Sequence, residues 1–155
     1  MTLHQAHDPY DWTAVLRLIQ TEFAFMDARI DPPSSMHSLT EAAIARQAQT
    51  GEVWVIGTPP VACVFLTPKP QALYVGKLAV SSTQRGKGLA RALMAQAEGR
   101  ARALGLPVLE LQTRIELVEN QAAFRAMGFE EMGRTSHPGY DRPTTITFQR
   151  RVPGL

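Results

Sequence analysis

The sequence predicts a mixed α+β fold, with a central sheet of six to seven mostly antiparallel strands and about four helices. Three observations predict it. Apolar residues recur at helical spacing near the start of the chain and again after residue 87. Short β-branched and aromatic runs between residues 53 and 80 are bounded by Gly/Pro turns. From Leu73 onward, strand-like and helix-like segments alternate. The 155 residues argue for one domain over 1–155. A chain of that size buries roughly 70% of its unfolded surface, enough for a core without a disulfide or metal.

The elements follow in order. Thr2–Ala6 reads as a short strand. Asp8-Pro9 opens a helix, with Asp8 as N-cap and Pro9 at its first position. Trp12, Val15, Leu16, Ile19, Phe23 and Met26 form its apolar stripe, and Asp31-Pro32-Pro33-Ser34-Ser35 breaks it. Ser38 and Glu41 fit a capping box for a second helix that ends near Gly51. Val53–Ile56 and Val61–Leu66 flank the turn Gly57-Thr58-Pro59-Pro60, and Leu73–Val80 completes an antiparallel meander. Lys87–Leu104 is a helix with Leu89, Leu93, Ala97, Ala101 and Leu104 on one stripe, stopped by Gly105 and Pro107. Val108–Gln112 is a strand. Thr113 and Glu116 form another capping-box pattern for a helix running to Met127, and Phe129–Gly133 and Thr144–Arg150 close the chain as strands.

Composition excludes several function classes. The apolar share is 45% and the charged share 19%, ordinary for a globular protein. A net charge of +2 with scattered arginines does not mark a nucleic-acid binder. No apolar run approaches the roughly 20 residues of a membrane helix, and no signal peptide is evident, so a cytoplasmic location is expected. The one cysteine, Cys63, lies in an apolar run and reads as a small core residue. His4, His7, His37 and His137 are dispersed without metal-ligand spacing, so no metal is expected. No Gly-x-Ser-x-Gly elbow supports a serine hydrolase.

The segment from Leu78 to Ala90 carries the most chemistry. A strand ends, a polar loop turns, and a helix starts at Gly86 and Gly88. The first N–H groups of a helix have no internal partner and lie at the positive end of its dipole. Glycine lets a phosphate approach them closely, and Arg85, Lys87 and Arg91 add positive charge. A lone Gly-x-Gly is equally compatible with a plain strand-to-helix turn. The spacing fits neither a P-loop nor a dinucleotide fingerprint.

Arg85-x-x-Gly88-x-Ala90 resembles the [Arg/Gln]-x-x-Gly-x-[Gly/Ala] signature of the GNAT family of N-acetyltransferases. The preceding Leu78-Ala79-Val80 resembles that family's fourth strand, and Phe124-Arg125-Ala126-Met127-Gly128-Phe129 resembles its Phe-Tyr-x-x-x-Gly-Phe segment. The resemblance covers roughly Val53 to Phe129, and the C-terminal run from Thr135 to Thr144 looks like a bacterial subgroup of unassigned substrate. It implies a sheet splayed between the fourth and fifth strands, the fourth carrying a bulge. It also implies acetyl-CoA as co-substrate, lying in that opening.

On this resemblance Leu78, Ala79 and Val80 meet the pantetheine through their backbones, the Val80 N–H near the thioester oxygen. Arg85, Gly86, Lys87, Gly88, Leu89, Ala90 and Arg91 face the pyrophosphate. Asn120 is placed against the pantetheine or, alternatively, faces solvent. Phe124, one turn on, stands where many relatives have a proton-donating Tyr, and reads as a packing aromatic. Arg125 reaches a phosphate or is a solvated helix face.

The reaction implied is direct attack by a neutral amine on the thioester, which needs a proton acceptor because a free alkylamine has a pKa near 10. Tyr74, at about the register of the family's catalytic Glu, is a candidate water relay or a half-buried strand aromatic. Glu110 is a candidate if it faces the cleft, and Tyr140 is the first candidate for the acid or a substrate contact. Met26, Arg29, Ser34, His37 and His137 are candidates for the acceptor pocket, and Asp27 or Asp31 for holding an ammonium; the 25–37 segment also reads as a Pro-stiffened surface loop. The acceptor class is a small-molecule or peptide amine. A non-catalytic acyl-CoA-binding sensor is the alternative function, and a nucleotide-binding α/β domain a third. Homodimers are common in such folds, though no patch here marks one.

Overall fold

Seven strands and four helices make up the computed structural model, which describes residues 1–154. The strands are β1 (Leu3–Gln5), β2 (Glu52–Ile56), β3 (Ala62–Pro68), β4 (Leu73–Val80), β5 (Val108–Arg114), β6 (Glu130–Thr135) and β7 (Thr145–Arg151). The helices are α1 (Trp12–Phe23), α2 (Glu41–Thr50), α3 (Leu89–Leu104) and α4 (Val118–Ala126). One sheet runs β1-β2-β3-β4-β5-β7-β6. Every neighbouring pair is antiparallel except β4–β5, which is parallel.

Two apolar cores sit on opposite faces of the sheet, as strand alternation requires. Ala62, Val64, Leu66, Leu73 and Val75 pack with Leu93 and Ala97 of α3. Cys63 and Phe65 turn the other way, onto Val15 and Ile19 of α1 and Ile44 of α2. Cys63 is fully buried, and that burial pushes its thiol up to about 12, so it is an inert core group.

Several boundaries differ from expectation, each for a local reason. Helix α1 is capped by Asp11, whose carboxylate accepts from the Ala14 N–H. Asp8 is diverted: its carboxylate accepts from the Trp12 indole at 2.7 Å and from Gln49 at 3.3 Å. The α-helix ends at Phe23, and Met26 lies in a following 3₁₀ turn, Ala24–Ala28. Thr40, not Ser38, caps α2; Ser38 belongs to a short 3₁₀ turn and bonds back to Ser35. Gly88 is the cap residue of α3, so Lys87 precedes the helix, and Leu104 is left exposed at its far end. Thr113 and Glu116 do not open α4, because cross-strand pairing of Thr113 with Ile146 and Arg114 with Thr145 carries β5 to Arg114. Helix α4 instead starts after Leu117, where the Gln121 side chain donates to the Ile115 carbonyl.

Strand β4 positions the site. Its pairing with β3 slips by one residue, so that Lys77 and Leu78 together oppose Val64. Lys77 has φ +50°, the only non-glycine residue with positive φ among those described. On its other edge β4 meets β5 only at Leu73↔Leu109 and Tyr74↔Glu110. Beyond Tyr74 the two strands part.

Candidate functional site

A cleft of about 940 Å³ fills the opening between the parted strands. One wall is β4 from Tyr74 to Val80, and the facing wall is β5 from Leu111 to Arg114. Helix α4 closes one side with Asn120, Ala123 and Phe124, followed by its C-cap Met127, and the segment from Glu22 to Ser35 closes the other.

A smaller depression of about 230 Å³ adjoins it at the start of α3, lined by Gly86, Gly88, Leu89 and Arg91. Val80, Arg85, Ala90 and Met127 line both spaces and join them. Gly86 (φ +79°) and Gly88 (φ +77°) occupy left-handed backbone that favours glycine. A Cβ built at either would meet nothing within 4 Å, so the space beyond them is open. No side chain caps α3, and its first internal bond runs from the Ala92 N–H to the Gly88 carbonyl at 3.0 Å. The amides of Leu89, Ala90 and Arg91 therefore lack helical partners. This is an anion-binding geometry built from main chain.

The surrounding charges are unequal. Arg85 is engaged with Glu22 at 3.2 Å, a carboxylate buried on α1. Lys87 does not line either space; it donates to Gln84 at 3.1 Å. Arg91 forms no salt bridge among the described residues and stands beside the open helix start.

Other expected site residues divide between the cleft and its surroundings. Tyr74, Leu78, Ala79, Val80, Asn120 and Phe124 line the cleft, as do Met26, Arg29, Ser34 and His137. Burial and the nearby Glu110 hold the Tyr74 hydroxyl above its ordinary range, so it is protonated at neutral pH. Phe124 packs its ring against Phe129 and Phe148, consistent with a packing aromatic.

Glu110, Tyr140 and His37 fall outside the lining. Glu110 sits at the closed end of the β4–β5 opening. Its carboxylate accepts from Lys69 at 2.7 Å and from Gln149 at 2.9 Å. Burial pushes its pKa up, but those bonds and the Lys69 charge outweigh it and leave the group below its usual value, a poor proton acceptor. The Tyr140 hydroxyl donates to Asp31 at 2.6 Å, a bond that raises its pKa and weakens it as an acid. His37 pairs with Asp27 at 2.7 Å away from the cleft.

Two cations that sequence reasoning missed line the cleft near the 32–35 segment: Lys77 at the bulge and Arg114 at the end of β5. Lys77 is lowered in pKa by burial and by Arg114. Arg114 is lowered by burial, against the pull of Glu116, Tyr140 and Asp31. His137 is lowered by burial and by Arg114, with Glu116 opposing. Its backbone N–H donates to Thr144 Oγ1 at 2.9 Å, and its Nδ1 also contacts that oxygen. Thr144 in turn donates to the Thr135 carbonyl at 3.4 Å. In the tautomer whose Nδ1 donates to Thr144, Nε2 is left as an acceptor. Thr113 Oγ1, also in the lining, is a buried hydroxyl without a partner among the described residues. Only the apolar-polar alternation of Val108–Arg114 could have put Arg114 on the cleft face, and no local signal marks Lys77 as a bulge.

Comparison with known proteins gives a family at the level of sequence and a shared fold at the level of structure. The sequence profile described as the acetyltransferase (GNAT) family matches residues 12–129. No curated protein matches the sequence. Among solved structures, the ribosomal-protein-S18-alanine N-acetyltransferase of Escherichia coli superposes with a TM-score of 0.70 at 17% identity, covering 97% of this chain and 93% of that one. A GNAT-family acetyltransferase from Staphylococcus aureus gives 0.74 at 14% identity, covering 97% and 98%. An IAA acetyltransferase from Bacillus cereus gives 0.67 at 18% identity, covering 97% and 98%. At these identities the superpositions speak for the fold.

Proposed function

The chain belongs to the acetyltransferase (GNAT) family, and from that premise we propose that it moves an acetyl group from acetyl-CoA to the amine of a small molecule or peptide. The observation that carries the reading is the parted β4–β5 pair opening beside an uncapped helix start. The amides of Gly86–Arg91 suit a diphosphate, and the edge of β4 from Leu78 to Val80 suits an extended pantetheine chain. Asn120 and the apolar faces of Phe124 and Met127 wall that channel. A thioester supplies an electrophilic carbonyl carbon. The amine nitrogen bonds to that carbon as the C–S bond breaks, one proton leaves the nitrogen, and one is taken up by the departing sulfur.

His137 is the cleft group we assign to accept the amine proton, through Nε2 and directly or by one water. Tyr74 is protonated and lines the same cleft, which suits it to donate rather than accept. Tyr140, tied to Asp31, holds the loop. The absence of a hydroxyl at Phe124 supports the alternative of an acyl-CoA-binding sensor. A thiol-release assay with acetyl-CoA and a panel of amines, amino acids, polyamines and peptide N-termini separates the two. Cofactor-dependent stabilisation together with amine-dependent thiol release is the expected result. Stabilisation without release under any amine leaves the sensor.

A further inference from the structure

The geometry points to an anion subsite at the acceptor end of the cleft, where Lys77 and Arg114 together hold the carboxylate of an amino-acid-type amine. The inference rests on the acyl-transfer reading above and narrows its substrate class.

Lys77 reaches across from the β4 bulge and donates to Ser35 Oγ at 2.5 Å. Arg114 reaches from the end of β5 and donates to the Pro32 carbonyl at 2.6 Å and the Pro33 carbonyl at 2.9 Å. Both cations thus converge on the same four-residue segment, 32–35, from opposite sides of the parted strands. Their partners are neutral oxygens, and neither forms a salt bridge among the described residues.

The other charges in the cleft largely cancel. Arg29 is paired with Glu119 through both guanidinium nitrogens, and Arg85 with Glu22. Near Arg114, Asp31 accepts from Tyr140 and pairs with Arg142 at 3.6 Å, while Glu116 accepts from the Asp31 N–H. Asp31 and Glu116 attract Arg114 from a distance without bonding to it. Lys77 has no such neighbour; the charge acting on it is Arg114 itself. Like charges brought together under partial burial cost free energy unless something of opposite sign joins them. A carboxylate placed between them supplies that sign and two charge-assisted bonds, one to the planar guanidinium fork and one to the ammonium. A polyamine or other polycation would meet repulsion at the same place. The bound carboxylate also brings an adjacent amine close to His137, which lines the same end and lies within the field of Arg114.

The test uses the full chain with saturating acetyl-CoA and matched acceptors: amino acids, their carboxamides, their decarboxylated amines, and phosphate-bearing amines. Initial thiol-release rates should give a kcat/KM at least about tenfold higher for the acid than for its amide, about 1.4 kcal/mol. Lys77→Met and Arg114→Gln should each compress that ratio towards one, chiefly through KM. Arg114→Gln also loses two loop anchors, so Lys77→Met, which gives up only the Ser35 bond, decides the matter. Wild-type protein that turns over amides as well as acids overturns the subsite and leaves acyl transfer standing. An undiminished acid preference in Lys77→Met overturns the role of Lys77. Preference for phosphate-bearing amines overturns the carboxylate assignment. No thiol release with any acceptor overturns acyl transfer and this inference with it.

Discussion

The start of α3 and the 31–35 segment face the same cleft but are built from different material. At the helix start the working groups are main-chain amides, fixed by two glycines within three residues. Around 31–35 they are side chains arriving from far away. Lys77 comes from β4, Arg114 from β5, Tyr140 from the β6–β7 loop, and Glu119 meets Arg29 from α4. On the function proposed above, the diphosphate is an invariant group, and backbone suffices to hold it. An acceptor has its own shape and charge, so it must be read by side chains. The difference shows why a cofactor loop can be recognised while a substrate pocket cannot.

The strongest way to break this contrast is at Gly88. Gly88→Val puts a β-branched side chain on left-handed backbone and into the open space beyond it. The loss of two or more charge-assisted bonds should weaken acetyl-CoA by about 100-fold or more and erase its thermal stabilisation at moderate ligand concentration. An unchanged ligand-induced rise in Tm defeats the main-chain account.

Next in size is His137→Gln, which should lower kcat by about 100-fold or more, with acetyl-CoA stabilisation retained. The same variant tests the pH dependence. The folded pKa of His137 lies below the ordinary 6.5, so between the two values the unfolded chain binds more protons. Stability therefore rises with pH through that window and is lost as pH falls from 6.5 through the folded value. The Tm of His137→Gln should be flatter than wild type from pH 7 down to about pH 5, a range that spans the ordinary His titration. Parallel Tm curves would remove His137 from the titrating set.

A smaller effect is expected for Arg29→Ala. It frees Glu119 and unties the wall segment from Glu22 to Ser35, and should raise the acceptor KM by about tenfold while acetyl-CoA binding changes little. Equal losses for both ligands would mean the two halves are not separable. The smallest belongs to Tyr140→Phe, where turnover should fall by less than about threefold, since a general acid would be worth far more. A loss of 100-fold would restore Tyr140 as the acid.

Legibility followed sequence distance. Leu73–Val80 is found to the residue, because its β-branched run is bounded by a Pro-rich loop and a polar turn. The glycines of the α3 start and the Leu93–Ala97–Ala101 stripe are likewise local signals. The α4 start was misread because a capping-box pattern at Thr113 competes with cross-strand pairing to β7, and pairing wins. Glu110 is a candidate only if it faces the cleft, and Lys69 and Gln149, two partners 41 and 39 residues away, claim its carboxylate. Lys77 was passed over because nothing around it announces the slip in register with β3.

That slip has a consequence for anyone redesigning the protein. A single supernumerary residue acts on β4 as a half-turn of a screw: Tyr74 and Ala79, five positions apart, end up facing the same side of the sheet. Removing one residue at 77 would restore strict alternation and leave Leu78 and Val80 on the α3 side, opposite Val64 and Ala62. The chain could still form a sheet of seven strands, but its fourth strand would run unbroken past Val64 and would no longer carry a cation into the cleft.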